Sequence, residues 1–123
     1  MAENGSLPAA VPKTILLVED EALIAMAEAR LLERLGYRVL TASSGEKAVQ
    51  IAAQDGPLNL ILMDIDLGLG MDGSEAAERI LARRTLPIVF LTSHAEREIV
   101  EKVRGITRSV SYTHLTLPTK RIV

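Results

Sequence analysis

Three stretches of this chain are almost continuously apolar: Thr14-Ile15-Leu16-Leu17-Val18, Leu58-Asn59-Leu60-Ile61-Leu62-Met63 and Ile88-Val89-Phe90-Leu91. Each is too short for a helix. A strand with one face in water would alternate polar and apolar positions, so these read as strands covered on both faces, as a parallel sheet requires. Arg38-Val39-Leu40-Thr41 is shorter and more polar, which suits an edge strand.

Helical spacing fills the gaps. Ile24, Ala27, Leu31 and Leu35 form the apolar stripe of a first helix, which Gly36 is placed to end. Ala48, Ile51 and Ala52 mark a second helix, opened by Ser44-Gly45-Glu46 and closed before Gly56-Pro57. Ala76, Ala77, Ile80 and Leu81 mark a third, with Asp72 or Ser74 as its N-cap. Ile99, Val100 and Val103 mark a fourth that ends at Gly105. Strands alternating with helices predict an α/β fold, an open parallel sheet with helices on both faces, wound by right-handed crossovers. In such sheets ligands sit beyond the C-terminal ends of the strands, so chemistry is sought in the residues that follow each apolar run.

Composition narrows the classes. The 123 residues suit one domain with one core, and 48% hydrophobic with 24% charged residues is an ordinary globular balance. Aromatics are only 2% (Tyr37, Phe90 and Tyr112), which leaves an aliphatic core and no platform for stacking on nucleic-acid bases. A net charge of -2 gives no basic field towards nucleic acid or an anionic membrane. The absence of cysteine excludes disulfides and thiolate metal sites. Residues 1–12 are expected to be a flexible tail without a secretory pattern, and no apolar run is long enough to span a bilayer, so a cytoplasmic location is expected.

The strand ends carry the chemistry. Glu19-Asp20-Glu21 follows the first expected strand, Asp64-Ile65-Asp66 the third and Thr92-Ser93-His94 the fourth. If the first and third strands are neighbours, Glu19, Asp20 and Asp64 converge, and three carboxylates so close need a cation between them. Oxygen-only ligands favour a hard divalent ion, Mg²⁺ above others, and Mg²⁺ held by carboxylates commonly serves phosphoryl groups. On this reading Asp64 is a nucleophile that forms an aspartyl phosphate, Glu19 and Asp20 hold the metal, and Thr92 offers a hydroxyl to the phosphoryl oxygens. The ordinary alternatives are that Asp20 caps the first helix and that Thr92 is a solvated loop residue. Asp64 is harder to explain that way, because burying a lone carboxylate is costly. His94 and His114 lack metal-ligand spacing and are expected at the surface. Met26, Met63 and Met71 are expected to be packing residues.

Ile15 to Glu21, Leu60 to Leu67, Met71-Asp72-Gly73 and Pro87 to Ser93, taken together and in this order, resemble the response-regulator receiver family from about Lys13 to Arg108. The resemblance implies a flavodoxin-like sheet of order 2-1-3-4-5, flanked by five helices. It implies a phosphoacceptor rather than an enzyme, charged with Mg²⁺ from the phosphohistidine of a histidine kinase or phosphotransfer protein. The metal-binding acidic pair matches Glu19 and Asp20, the phosphoacceptor Asp64 and the switch hydroxyl Thr92. Asp66 matches the position whose main-chain carbonyl also binds the metal, and Gly73 the glycine after the acceptor loop. Output would lie in a fused or separate domain, without direct binding of nucleic acid or membrane by this one.

The likeness stops near Arg108. The family's fifth strand carries a lysine that would fall near His114, and nothing there matches it. Val110 to Thr119 back-translates without interruption to GTC TCT TAT ACA CAT CTG ACG CTG CCG ACG, which resembles a transposon-type sequencing adapter read in frame. The expected organisation is therefore a tail (1–12), an incomplete receiver domain (13–109) and a non-native tail (110–123), with the fifth strand and helix missing or non-native.

Two other readings remain. Asp64 and Asp66 imitate the nucleophile and acid–base pair of haloacid-dehalogenase-type phosphatases, although that motif normally lies on the first strand. The domain could also be an interaction module that is never phosphorylated. Neither GxxxxGK[ST] nor GxGxxG occurs, which removes P-loop and dinucleotide readings.

Overall fold

A computed structural model describes residues 11–54, 56–65, 67–68, 70–92 and 121–122. Four strands run parallel: β1 (Thr14–Val18), β2 (Arg38–Ala42), β3 (Leu60–Asp64) and β4 (Ile88–Thr92). Their order is β2-β1-β3-β4, with the polar strand β2 at the edge. Three helices connect them: α1 (Ala22–Arg34), α2 (Gly45–Ala53) and α3 (Gly73–Leu81). This is the flavodoxin-like arrangement that the apolar runs and the resemblance imply.

Alternate residues of the strands face opposite ways, which divides the core in two. Leu16, Val18, Ile61, Met63, Ile88 and Phe90 join Ala48 and Ala52 of α2 and Ala76, Ala77 and Ile80 of α3 in one large cluster. Ile15, Leu17, Leu62 and Leu91 face the other way, with Ala29 and Leu32 of α1 packed against them. Both helices turn alanines into this cluster, and α2 and α3 meet closely enough that a Cβ on Gly45 would lie 3.3 Å from the Ala76 Cβ.

Caps set the helix starts. Ser44 accepts a hydrogen bond from the Lys47 N–H at 3.1 Å and opens α2. Asp72 accepts from the Glu75 N–H at 2.8 Å and opens α3, so of the two candidate caps Asp72 fills the role. The Ser74 hydroxyl instead donates to Asp72 Oδ1 at 2.9 Å and holds the cap in place.

The inner face of α1 differs from the expected stripe. Ile24 is half-buried, but Ala27, Leu31 and Leu35 are exposed. The inward side is Ala25, Glu28, Ala29 and Leu32, with Glu28 only 5% exposed. A charged residue in the middle of that side breaks its apolar periodicity, so the stronger hydrophobic pattern lies on the outer face. Met26 is also on that outer face, not in the packing role expected of it, whereas Met63 is fully buried and Met71 packs against the larger cluster.

Beyond β4 the pattern changes. A two-residue strand, β5 (Arg121–Ile122), runs antiparallel to β4, pairing Ile122 with Leu91 and Arg121 with Thr92. Two residues against the grain stand where the resemblance implies a full strand. The expected fourth helix at Ile99 to Val103, together with His94 and His114, lies outside the described residues.

Candidate functional site

Strand pairing brings the acidic residues together. Parallel register aligns Val18 of β1 with Met63 of β3, so Glu19 and Asp64, one step further along each strand, emerge side by side at the C-terminal edge. Glu19 is anchored to the strand on the other side through its N–H, which donates to the Ala42 carbonyl at 3.0 Å. Ile65, just after Asp64, donates its N–H to the Leu91 carbonyl at 3.1 Å, so β3 stays in register to its last residue. One carboxylate oxygen each from Glu19, Asp20 and Asp64 lies within 4.8 Å of the others. Glu19 and Asp64 are buried and Asp20 is exposed, so the cluster has a deep floor and a solvent-facing rim.

The capping alternative for Asp20 fails. The N-cap of α1 is Glu21, with no side-chain cap. The Glu21 N–H donates instead to Glu19 Oε1 at 3.2 Å, which orients the buried carboxylate from the N-cap of α1. Asp20 is thus left as a rim carboxylate beside Asp64.

The third expected element is Thr92, the last residue of β4, one position beyond the Leu91 that pairs with Asp64. That places its backbone at the same sheet edge as the cluster. Asp66 lies outside the described residues. Gly73 closes the site from below: a Cβ there would collide with the Asp64 carbonyl oxygen, so only glycine lets α3 begin against the strand end. The Gly73 N–H donates to the Ile65 carbonyl at 3.2 Å, tying α3 to the residue after Asp64.

Three carboxylates this close repel strongly, two of them with little water to screen them. A donor set made only of oxygen, with no histidine or cysteine among the described residues, fits a hard divalent cation. Sequence reasoning missed Glu46 and Gly45 of α2, which contact the loop after Asp64. No local pattern could reveal them, because the contact joins positions 25 apart in the chain.

A parallel sheet of order 2-1-3-4 with an acidic triad at the carboxyl ends of its central strands defines a class. The model of the response regulator receiver domain matches residues 15–108, and the chain belongs to that family. Transcriptional regulatory protein PdtaR of Mycobacterium tuberculosis is 41% identical over 97 residues, covering 78% of this chain and 46% of PdtaR. The chain thus spans less than half the length of that relative. Among solved structures, the N-terminal domain of a response regulator/sensory box/GGDEF three-domain protein from Carboxydothermus hydrogenoformans superposes with a TM-score of 0.71 at 46% identity, covering 77% of this chain and 76% of that one. The receiver domain of the sensor histidine kinase PA1611 from Pseudomonas aeruginosa, with a magnesium ion coordinated in its active-site cleft, gives a TM-score of 0.68 at 33% identity and covers 78% and 80% of the two chains.

The chain is a receiver domain of the two-component type. The phosphatase alternative finds no support: Asp64 ends the third strand rather than the first, and the family match is to receivers. No helix among the described residues is long and apolar enough to cross a membrane.

Proposed function

We propose that Asp64 is the phosphoacceptor, receiving its phosphoryl group from a phosphohistidine on a histidine kinase or phosphotransfer protein. The observation that carries this is the convergence of Glu19, Asp20 and Asp64 within 4.8 Å at the ends of adjacent strands. One Asp64 carboxylate oxygen attacks phosphorus, a P–O bond forms, and the P–N bond to the donor imidazole breaks with its electron pair returning to nitrogen. Glu19 and Asp20, with Asp64 and the Asp66 main-chain carbonyl, would hold Mg²⁺, as the magnesium-bound PA1611 receiver encourages. Bound there, Mg²⁺ would offset the charge of the carboxylates and of the transferring phosphoryl oxygens. Thr92 would donate its hydroxyl to a phosphoryl oxygen.

The domain is proposed to act in the cytoplasm as a regulatory module rather than an enzyme, with output from a fused or separate partner and no nucleic-acid or membrane contact of its own. Residues 13–109 are its receiver portion, and 110–123 a non-native tail, consistent with a fifth sheet position filled by two antiparallel residues. Native genomic sequence encoding residues 110–123 would contradict the tail assignment.

The test is uptake of phosphate from a small donor such as phosphoramidate. Wild-type chain takes up label only with Mg²⁺, Asp64→Asn takes up none, and Asp20→Asn needs more Mg²⁺. Labelling of Asp64→Asn at the wild-type level would overturn the assignment.

A further inference from the structure

The loop between β3 and α3 passes between two carboxylates that lie on different elements. On its near side, a Cβ added to Gly68 would lie 3.2 Å from Asp20 Oδ2, so the loop backbone rests against the rim of the acidic cluster. On its far side, the Met71 N–H donates to Glu46 Oε2 at 3.3 Å. Gly70, at φ 92°, comes so close to the same carboxylate that a Cβ there would lie 2.9 Å from Glu46 Oε2. Neighbouring Gly45 leaves no slack either, since a Cβ on it would lie 2.8 Å from the Met71 carbonyl oxygen.

The first turn of α2 is a fixed support for this contact. Ser44 caps it, and Ala48 is buried in the larger core cluster one turn on. Gly68 of the loop thus lies beside Asp20, while Gly70 and Met71 lie against the anchored first turn of α2.

We propose that Glu46 is a positioning residue for the cation site: by accepting the Met71 N–H it holds the loop against Asp20 and thereby raises divalent-cation affinity. This rests on the phosphoacceptor reading above, because the loop carries Asp66. Glu46 itself touches neither phosphorus nor metal. Its acidic place in the first turn of α2 also favours the helix dipole, so a purely structural role must be separated from the positioning one.

Three chains separate them: wild type, Glu46→Gln and Glu46→Ala. Glutamine keeps a side-chain oxygen that can accept the Met71 N–H but removes the charge that favours the dipole, while alanine removes both. The readouts are Mg²⁺ Kd by calorimetry, phosphoramidate labelling at saturating Mg²⁺, and exchange of the Met71 amide proton. Glu46→Ala should weaken Mg²⁺ binding about 3- to 10-fold, the scale of one lost hydrogen bond. It should speed Met71 exchange, and leave labelling at saturating Mg²⁺ within about twofold of wild type. Glu46→Gln should match wild type in all three.

An unchanged Kd in Glu46→Ala, beside a wild type that binds Mg²⁺ and is labelled, overturns the inference and leaves the phosphoacceptor reading standing. A Glu46→Gln chain as weak as Glu46→Ala also overturns it, since charge rather than the hydrogen bond would then be responsible. A wild type that neither binds Mg²⁺ nor takes label overturns both.

Discussion

The two faces of the sheet are built differently. Among the described residues, the face under α2 and α3 gathers sixteen buried hydrophobic side chains, while the face under α1 gathers four. The outer side of α1 is apolar as well, with Leu23 at 82%, Leu35 at 67% and Met26 at 52% exposure. One face is a closed core in which small side chains let two helices nest. On the other, the described residues supply a single helix whose inward side carries Glu28. The acidic site draws its supports mainly from the closed side: Gly73 at the start of α3 lies against Asp64, and α2 presents Glu46 and Gly45 to the loop. Among the described residues, then, these supports of the site come from the face under α2 and α3.

Two neighbours on β1 separate the two faces most sharply. Leu16 and Leu17 are both fully buried, differ by one position and point to opposite faces. Leu16→Ala should cost about 4 kcal/mol and Leu17→Ala about 2–3 kcal/mol in urea unfolding, because among the described residues Leu16 lies in the cluster of sixteen buried side chains and Leu17 in the cluster of four. Equal costs would show that the two faces are equally well packed.

A smaller effect should come from Arg84, which follows α3. Its guanidinium donates to the carbonyls of Ala52 at 3.3 Å, Gln54 at 3.5 Å and Gly56 at 3.1 Å, tying the end of α2 to the chain after α3. Arg84→Ala should lower stability by about 1–2 kcal/mol, as loss of hydrogen bonds from a half-buried charged donor does. Since the tie lies at the end of the sheet away from Asp64, Mg²⁺ affinity should not change. Weakened Mg²⁺ binding in this variant would mean that the two ends of α2 are coupled.

The least effect is expected on the outer side of α1. Leu23→Gln should shift stability by less than about 0.5 kcal/mol, because the side chain is already in water. A larger loss would show that something covers this face in solution.

Much of this was legible in the residues, for physical reasons that differ from part to part. A strand buried on both faces must be apolar throughout, so β1, β3 and β4 announced themselves within a residue or two of their ends. Asp72 and Ser44 were readable as caps, or as the opening of a helix, because capping is local chemistry. The acidic cluster was readable once β1 and β3 were taken as neighbours, since parallel register then puts Glu19 beside Asp64. The orientation of α1 was not readable: Glu28 turned inwards, and Ala27, Leu31 and Leu35 of the stripe that periodicity favoured are exposed. Nor was the Glu46 contact, which exists only after α2 and the loop have folded together.

The most direct test of the account asks which atom takes the phosphoryl group. Chain treated with phosphoramidate and Mg²⁺, reduced with borohydride to trap acyl phosphates and then sequenced by mass spectrometry, should carry the reduced residue at position 64 and nowhere else. Omitting Mg²⁺ should abolish it. Trapping at Asp20, Asp66 or another carboxylate, with Asp64 unmodified, would contradict the assignment of Asp64 as the phosphoacceptor.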